Sequence, residues 1–275
     1  MSLTRESQWV RRIMSVAGFV TLTAALVLVA TFNANLSKPQ DPVLKFPNSL
    51  LFQIRDDAKA AVLSVIIVNQ GRDWFVVPRD AVVQDSPGRI LVSQSTETLD
   101  VSSSARQISE VLSIDIEDSW QIDRLGISGL VDSIGGVQVT PVRDQVISVS
   151  DDDYVILKKG EPIMLSGMYA SLYATEGSPQ RQLVAFAQVW DQLLKRTDAA
   201  NLRVVLGSLG SSTRATITIP VMVNLFEKLQ IVQSFGGPRI HYLPTIEGTV
   251  NGNLGLYLTN QGRSELISAG VQPIL

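Results

Sequence analysis

Residues 112–137 read LSIDIEDSWQIDRLGISGLVDSIGGV, and the later part of this stretch decides the fold. Residues 125–134 carry a helical pattern, and Gly135-Gly136 ends it. A glycine placed just after the last periodic residue supplies a left-handed cap at low steric cost. Residues 137–142 (VQVTPV) then alternate like a strand. Helix followed by strand is the alternation expected of an α/β fold.

Working outward, residues 103–112 (SSARQISEVL) open on candidate N-caps and place Ile108, Val111 and Leu112 on one helical face. Residues 49–54 (SLLFQI), 61–69 (AVLSVIIVN) and 74–77 are short apolar runs, and Asn69-Gln70-Gly71 between the last two is a turn signal. The unbroken apolar character of residues 62–68 predicts a strand buried on both faces. Downstream, helices are expected at 168–173 and 180–195, the second with Leu183, Phe186, Val189, Trp190, Leu193 and Leu194 on one side. Further elements follow: a helix near 221–229, strands near 240–243 and 254–258, and a last helix near 262–268. No internal repeat interrupts this, so residues 47–275 read as one α/β domain.

The chain has 275 residues, 45% hydrophobic and 18% charged, which excludes a disordered protein. It has no cysteine, which excludes a disulfide scaffold and a Cys-based zinc site. With 23 basic against 26 acidic residues the net charge is −3, which argues against a nucleic-acid partner. Residues 13–32 (IMSVAGFVTLTAALVLVATF) carry no charge, and a 20-residue helix rises about 30 Å, the thickness of a bilayer core. Arg5, Arg11 and Arg12 against Glu6 place net positive charge before it, so residues 1–12 are expected in the cytoplasm and the remainder outside. No small-x-small cleavage site follows, which favours a retained membrane anchor over a removed signal peptide. Residues 33–46 (NANLSKPQDPVLKF) read as a tether.

Three stretches resemble the LytR-CpsA-Psr family of bacterial envelope proteins. Val76-Val77-Pro78-Arg79-Asp80, after two apolar strands, resembles the family's S-I-P-R-D block. Residues 112–137 resemble the stretch that ends in the family's D-a-l-G-G-V. Residues 157–173 and Arg181-Gln182 resemble the block that leads into the family's R-Q helix start. The resemblance spans residues 47–200 and implies a single α-β-α domain with a central mixed sheet behind one membrane helix.

It also implies an activity: transfer of a glycopolymer from a polyprenyl-pyrophosphate lipid to peptidoglycan, usually with Mg²⁺. Arginines would grip the pyrophosphate bidentately, and a carboxylate-held cation would neutralise the leaving phosphate. By resemblance Arg79 is the candidate catalytic residue, and Arg79, Arg181, Gln182 and Arg89 are candidate ligand contacts. Asp56 is the candidate metal ligand. The sequence departs from the family where Tyr173-Ala174-Thr175-Glu176-Gly177 stands in place of an R-x-R pair and Ser178 in place of a further arginine. Near Ala60-Ala61 the family's second metal-site aspartate is missing. Each lost charge-assisted hydrogen bond is worth about 1.5–3 kcal/mol.

Other polar residues have simpler readings. Asp56 and Asp57 suit a solvated turn, and Asp151-Asp152-Asp153 an acidic turn without the calcium-loop spacing. His241, in the apolar run 240–243, suits a packed or hydrogen-bonded strand residue; Trp74, Trp120 and Trp190 suit the core. Three functions remain open on the sequence. The chain could bind a polyprenyl-linked glycan lipid with reduced or no transfer, beside an active paralogue or another envelope protein. It could be an active ligase with arginines supplied from Arg55, Arg89 or Arg143. It could be an anchored interaction module. An apolar cavity separates the first two from the third, and arginines converging at its mouth separate the second from the first.

Overall fold

A computed structural model describes residues 46–84, 88–97, 100–250 and 253–274. The expected membrane segment 13–32 and its tether up to residue 45 lie outside them. Among the described residues no helix is long and apolar enough to cross a membrane.

The chain runs β1 (Ser49–Arg55), β2 (Ala61–Val68), β3 (Asp73–Val76), β4 (Ala81–Gln84), β5 (Ile90–Leu91), α1 (Val101–Leu112), β6 (Asp118–Asp123) and α2 (Arg124–Ser133). After β7 (Val137–Val139), β8 (Gln145–Ser148), β9 (Tyr154–Leu157) and β10 (Ile163–Leu165) come α3 (Gly167–Thr175), α4 (Pro179–Arg196) and α5 (Ala199–Ser208). The last part is β11 (Thr213–Ala215), α6 (Ile219–Ser234), β12 (Arg239–Tyr242), β13 (Thr245–Val250), β14 (Asn253–Leu258) and α7 (Asn260–Ser268).

Six strands form a central mixed sheet in the order β11-β6-β1-β2-β3-β12. β1, β2 and β3 pair antiparallel, β6 runs parallel to β1, and β12 runs parallel to β3. Because strand side chains alternate between faces, each strand feeds two cores. Leu50, Phe52, Ile54, Val65, Ile67, Trp74 and Val76 point into the core under α2–α6. Leu51, Ile66, Val68, Phe75 and Val77 point into a second core with α1, α7 and the smaller sheet β13-β14-β4-β5. All eight residues of β2 are buried, as its unbroken apolar run requires.

α2 begins at its N-cap Asp123, whose carboxylate accepts from Gly126 N–H at 2.9 Å. It ends where expected: Gly135 and Gly136 adopt φ of 73° and 94°, a region costly for residues with a Cβ. Arg196 donates to the Gly136 carbonyl at 2.6 Å and so closes the same end. Two boundaries differ from the sequence reading. α1 starts at Val101, because Asp100 rather than a serine caps it through Ser102 N–H at 3.0 Å. β7 stops at Val139, two residues short of Pro141, which has no N–H to extend a ladder.

Candidate functional site: an arginine-lined sheet edge

Since β1, β3, β6 and β12 share one direction, their C-terminal ends meet on one edge of the sheet. Arg55 and Asp123 are the last partners of the β1–β6 ladder. Loop 56–60 follows the first, and α2 follows the second. Arg124, the first residue of α2, ties this edge together. Its Nε donates to Thr175 Oγ1 and its Nη1 to Asp57 Oδ2, each at 2.8 Å, and Nη2 lies 3.9 Å from Glu176 Oε1. Its side chain is only 16% exposed, although Asp57 is 73% exposed.

Arg181 lies in the first turn of α4 near Glu176, which Arg124 also approaches. Gly177 adopts φ of 100°, and a Cβ there would come within 2.8 Å of Arg181 Nη1, so the glycine leaves room for the guanidinium to fold back. Burial, and then neighbouring Arg143, push the Arg181 pKa below the usual arginine value, opposed by Tyr173 and Glu176. Arg55 is buried, with Nη2 at 3.7 Å from Asp123 and 3.4 Å from the Ser211 carbonyl. Its Nε has no hydrogen-bond partner among the described residues. Burial and then Arg214 lower its pKa, with Asp123 opposing. Arg55 and Arg214 thus gather at Asp123, while Arg124 and Arg181, with Arg143 near the latter, gather at Asp57 and Glu176; in each group the arginines outnumber those carboxylates, and the first also holds one buried orphan donor among the described residues. A multivalent anion answers that arrangement.

The residues picked out in the sequence divide. Arg181 and Gln182 reach the cluster, but Gln182 is buried. It donates from Nε2 to the Thr175 carbonyl at 2.8 Å, holding the end of α3, while its Oε1 has no partner among the described residues. Arg79 follows β3 on the same edge, and its ion pair among the described residues is with neighbouring Asp80 at 3.7 Å. Arg89 lies over the second sheet, where a Cβ on Gly255 would meet its Nη2 at 2.8 Å. The sequence reading missed Arg124. A signal for it existed: a cation at the first position of a helix opposes the helix dipole, so some other group must hold it there.

Asp56 accepts from Ala60 N–H at 2.9 Å and so caps its own loop. Ala60 brings no second carboxylate, and Asp57 is already paired to Arg124. Among the described residues no cluster of three acidic or histidine side chains could hold a metal. Magnesium is commonly held by one or two carboxylates with waters and substrate phosphates, and at loop 56–60 Asp56 and Asp57 are the carboxylates present, each already engaged within the protein.

A prenyl chain would need an apolar channel. Between the sheet and α4 and α6 the space is filled by Phe52, Trp120, Phe186, Trp190 and Phe226, all buried, with ring centroids 5.2–6.5 Å apart for the pairs in contact. The apolar surface near Arg181 lies outside instead. A groove of about 510 Å³ is lined by Leu183, Val184, Ala187 and Gln188 of α4 and by Ile240 and Tyr242 of β12. Arg181, Val184 and Gln188 are spaced i, i+3, i+7 and share a helix face, so the groove leads away from the arginine.

No protein-family description matches the chain, and no curated protein matches it. Solved structures do. TagV of B. subtilis superposes with a TM-score of 0.61 at 17% identity, covering 82% of this chain and 95% of that one. The fold is that of the LytR-CpsA-Psr proteins. A LytR-Csp2A-Psr enzyme from Actinomyces oris gives 0.60 at 15% identity, covering 82% of this chain and 90% of its own. TagT bound to LIIa-WTA gives 0.60 at 17% identity, covering 84% and 92%. The mixed sheet expected of the LytR-CpsA-Psr fold is therefore present.

The bland readings elsewhere have clear placements. His241 stacks on Phe75, with ring centroids 4.5 Å apart, and its Nε2 is 3.1 Å from Asp73 Oδ1. Trp74, Trp120 and Trp190 are core residues. Asp151–Asp153 form the turn between β8 and β9, where the Asp153 carboxylate accepts from the Tyr169 hydroxyl.

Proposed function

We propose that the chain is a membrane-anchored, extracytoplasmic protein of the bacterial envelope. It binds the pyrophosphate end of a polyprenyl-linked glycopolymer at the arginine-lined edge, with reduced or no transfer to peptidoglycan. The convergence of Arg124 and Arg181 beside the end of α3 carries this reading. Likeness of fold to TagT, solved bound to LIIa-WTA and to LI-WTA, supports a glycopolymer as the ligand class. The uncharged stretch 13–32 with arginines before it supports the anchor. The missing carboxylate at Ala60 and the aromatic packing between the sheet and α4 support weak turnover: fewer carboxylates remain to hold a metal against the leaving-group charge, and the apolar groove found beside Arg181 among the described residues is an outer one. The bound lipid would then pass to an active paralogue or another envelope protein.

One observation favours an active phosphotransferase instead. Arg124 bonds Thr175, the position where the family resemblance places an arginine, so a guanidinium still reaches that spot. The full chain in detergent, given a polyprenyl-pyrophosphate glycan, peptidoglycan acceptor and Mg²⁺, separates the readings. Mass spectrometry follows lipid retained and glycan transferred, with Arg124→Ala and Arg79→Ala beside the parent. Retention without transfer, lost in Arg124→Ala, is the expected result. Transfer that collapses in either variant establishes a ligase. Neither signal leaves an interaction module.

A further inference from the structure

The sheet edge opposite the arginine cluster carries a second basic pocket, of about 400 Å³. It is lined by Arg72, Lys228 and Arg239 together with Ile231, Val232 and Phe235. Phe235 is 87% exposed and Ile231 58%, an unusual display of large apolar side chains beside three cations. Asp73, beneath the pocket, compensates one of the three through Arg239 at 2.7 Å. Arg72 has no ion pair among the described residues. The C-terminus of α6 also points here, but its partial charge is roughly −0.5 and its last carbonyls accept from Gly236 and Gly237 N–H. The two uncompensated cations outweigh it.

Two observations say what this face meets. The chain enters the domain here: Lys228 Nζ sits 6.0 Å above the Phe46 ring, and Phe46, Pro47 and Asn48 line an adjoining cleft with Asn69 and Gln70. Residue 46 is thus held at this face, and the 14 residues 33–46 span no more than about 50 Å even when fully extended. The lip of the pocket is also strained, with Asn69 (φ 52°), Gln70 (φ 56°) and Gly71 (φ 88°) in successive left-handed conformations. Such strain gathers at ligand clamps.

We infer that the face formed by Arg72, Lys228, Ile231 and Phe235 docks on an anionic phospholipid surface, with the cations on head-group phosphates and Phe235 and Ile231 in the interface. Aromatic and aliphatic side chains beside basic ones are the chemistry by which a protein lies on such a surface. The inference rests on the anchoring proposed above and adds that this face, at the N-terminal ends of β3 and β12, is one that meets the bilayer.

Both apolar cores and all the described elements lie in the compact unit Lys45–Leu275, which holds what an independently folding domain needs. That unit, without residues 1–44, is mixed with phosphatidylcholine vesicles with and without 30% phosphatidylglycerol. It should sediment with the anionic vesicles only, and salt should release it. The double variant Arg72→Glu/Lys228→Glu should weaken binding at least tenfold with its unfolding midpoint unchanged, and Phe235→Ser should weaken it too. Absence of binding to anionic vesicles, equal binding to neutral ones, or indifference to the charge reversal would overturn the docking face. So would displacement by soluble glycerol phosphate at concentrations matched to the lipid. Alkaline carbonate extraction of the full chain tests the anchor separately, so failure of one leaves the other standing.

Discussion

Arg124 Nη1 donates to Asp57 Oδ2 at 2.8 Å, and through that bond the start of α2 is tied to the loop after β1. The pair is asymmetric, because the arginine is mostly covered and the aspartate mostly exposed. An anion approaching from solvent competes with Asp57 for the same guanidinium. Asp57→Asn is therefore expected to tighten binding of inorganic pyrophosphate, and Arg124→Ala to weaken it about ten- to hundredfold, the worth of one charge-assisted bond. Isothermal titration of the full chain in detergent checks both. If Asp57→Asn loosens binding, the pair is a structural brace and the anion sits elsewhere.

Gly177 offers a second handle on the same edge. Alanine there combines a strained backbone, about 1–2 kcal/mol in the left-handed region, with a Cβ 2.8 Å from Arg181 Nη1. Gly160 also has positive φ, 78°, but open space around its missing Cβ. Both Gly→Ala variants should lose similar stability in urea, while only Gly177→Ala loses pyrophosphate affinity. Equal affinities would detach Arg181 from the ligand.

Much of this fold was legible because its strands declare themselves by burial. β1 and β2 are dense in Leu, Val and Ile on both faces, β3 is a short apolar run of Trp74, Phe75 and Val76, and α4 shows its apolar stripe plainly. β6 was not legible, though it is an interior strand of the sheet, between β11 and β1. Its sequence DSWQID places Gln121 against the second core, where it shares hydrogen bonds with Gln53 and Ser104 rather than apolar contacts. A buried polar network defeats a reading that looks for apolar alternation. α5 was missed because a short helix with Leu202 and Leu206 buried and Val204 71% exposed shows little periodicity. At the site, spacing could align Arg181 and Gln182 with a motif, but not reveal that Arg124 crosses to Thr175, 51 residues further along the chain.

The aromatic interior invites a stability test. Trp190 stacks with or edges onto Phe52, Trp120, Phe186 and Phe226, and its indole Nε1 is buried without a partner among the described residues. Trp190→Ala should cost about 3–5 kcal/mol through the cavity it opens. Trp190→Phe should cost much less, under about 1.5 kcal/mol, because it keeps a ring and removes an unsatisfied donor. Urea unfolding followed by circular dichroism separates them. A phenylalanine variant as unstable as the alanine one would mean that the indole donor does have a partner in solution.

Asp73 sets a pH dependence on the opposite edge. Burial acts to raise its pKa, but hydrogen bonds from Arg239, Asn69 and His241 outweigh it and hold the carboxyl below its ordinary value of 3.8. A carboxylate depressed in the folded state adds stability that is complete above the unfolded pKa, near 3.9, and that disappears as pH falls through the lower, folded value. Asp73→Asn should therefore be less stable than the parent at pH 6, and the gap should narrow below pH 4 as the parent's carboxylate takes up its proton. Urea midpoints of both proteins between pH 6 and pH 2.5 measure this. A gap that stays constant through that range would assign the cost to lost packing and leave the Asp73–Arg239 charge pair without a role in stability.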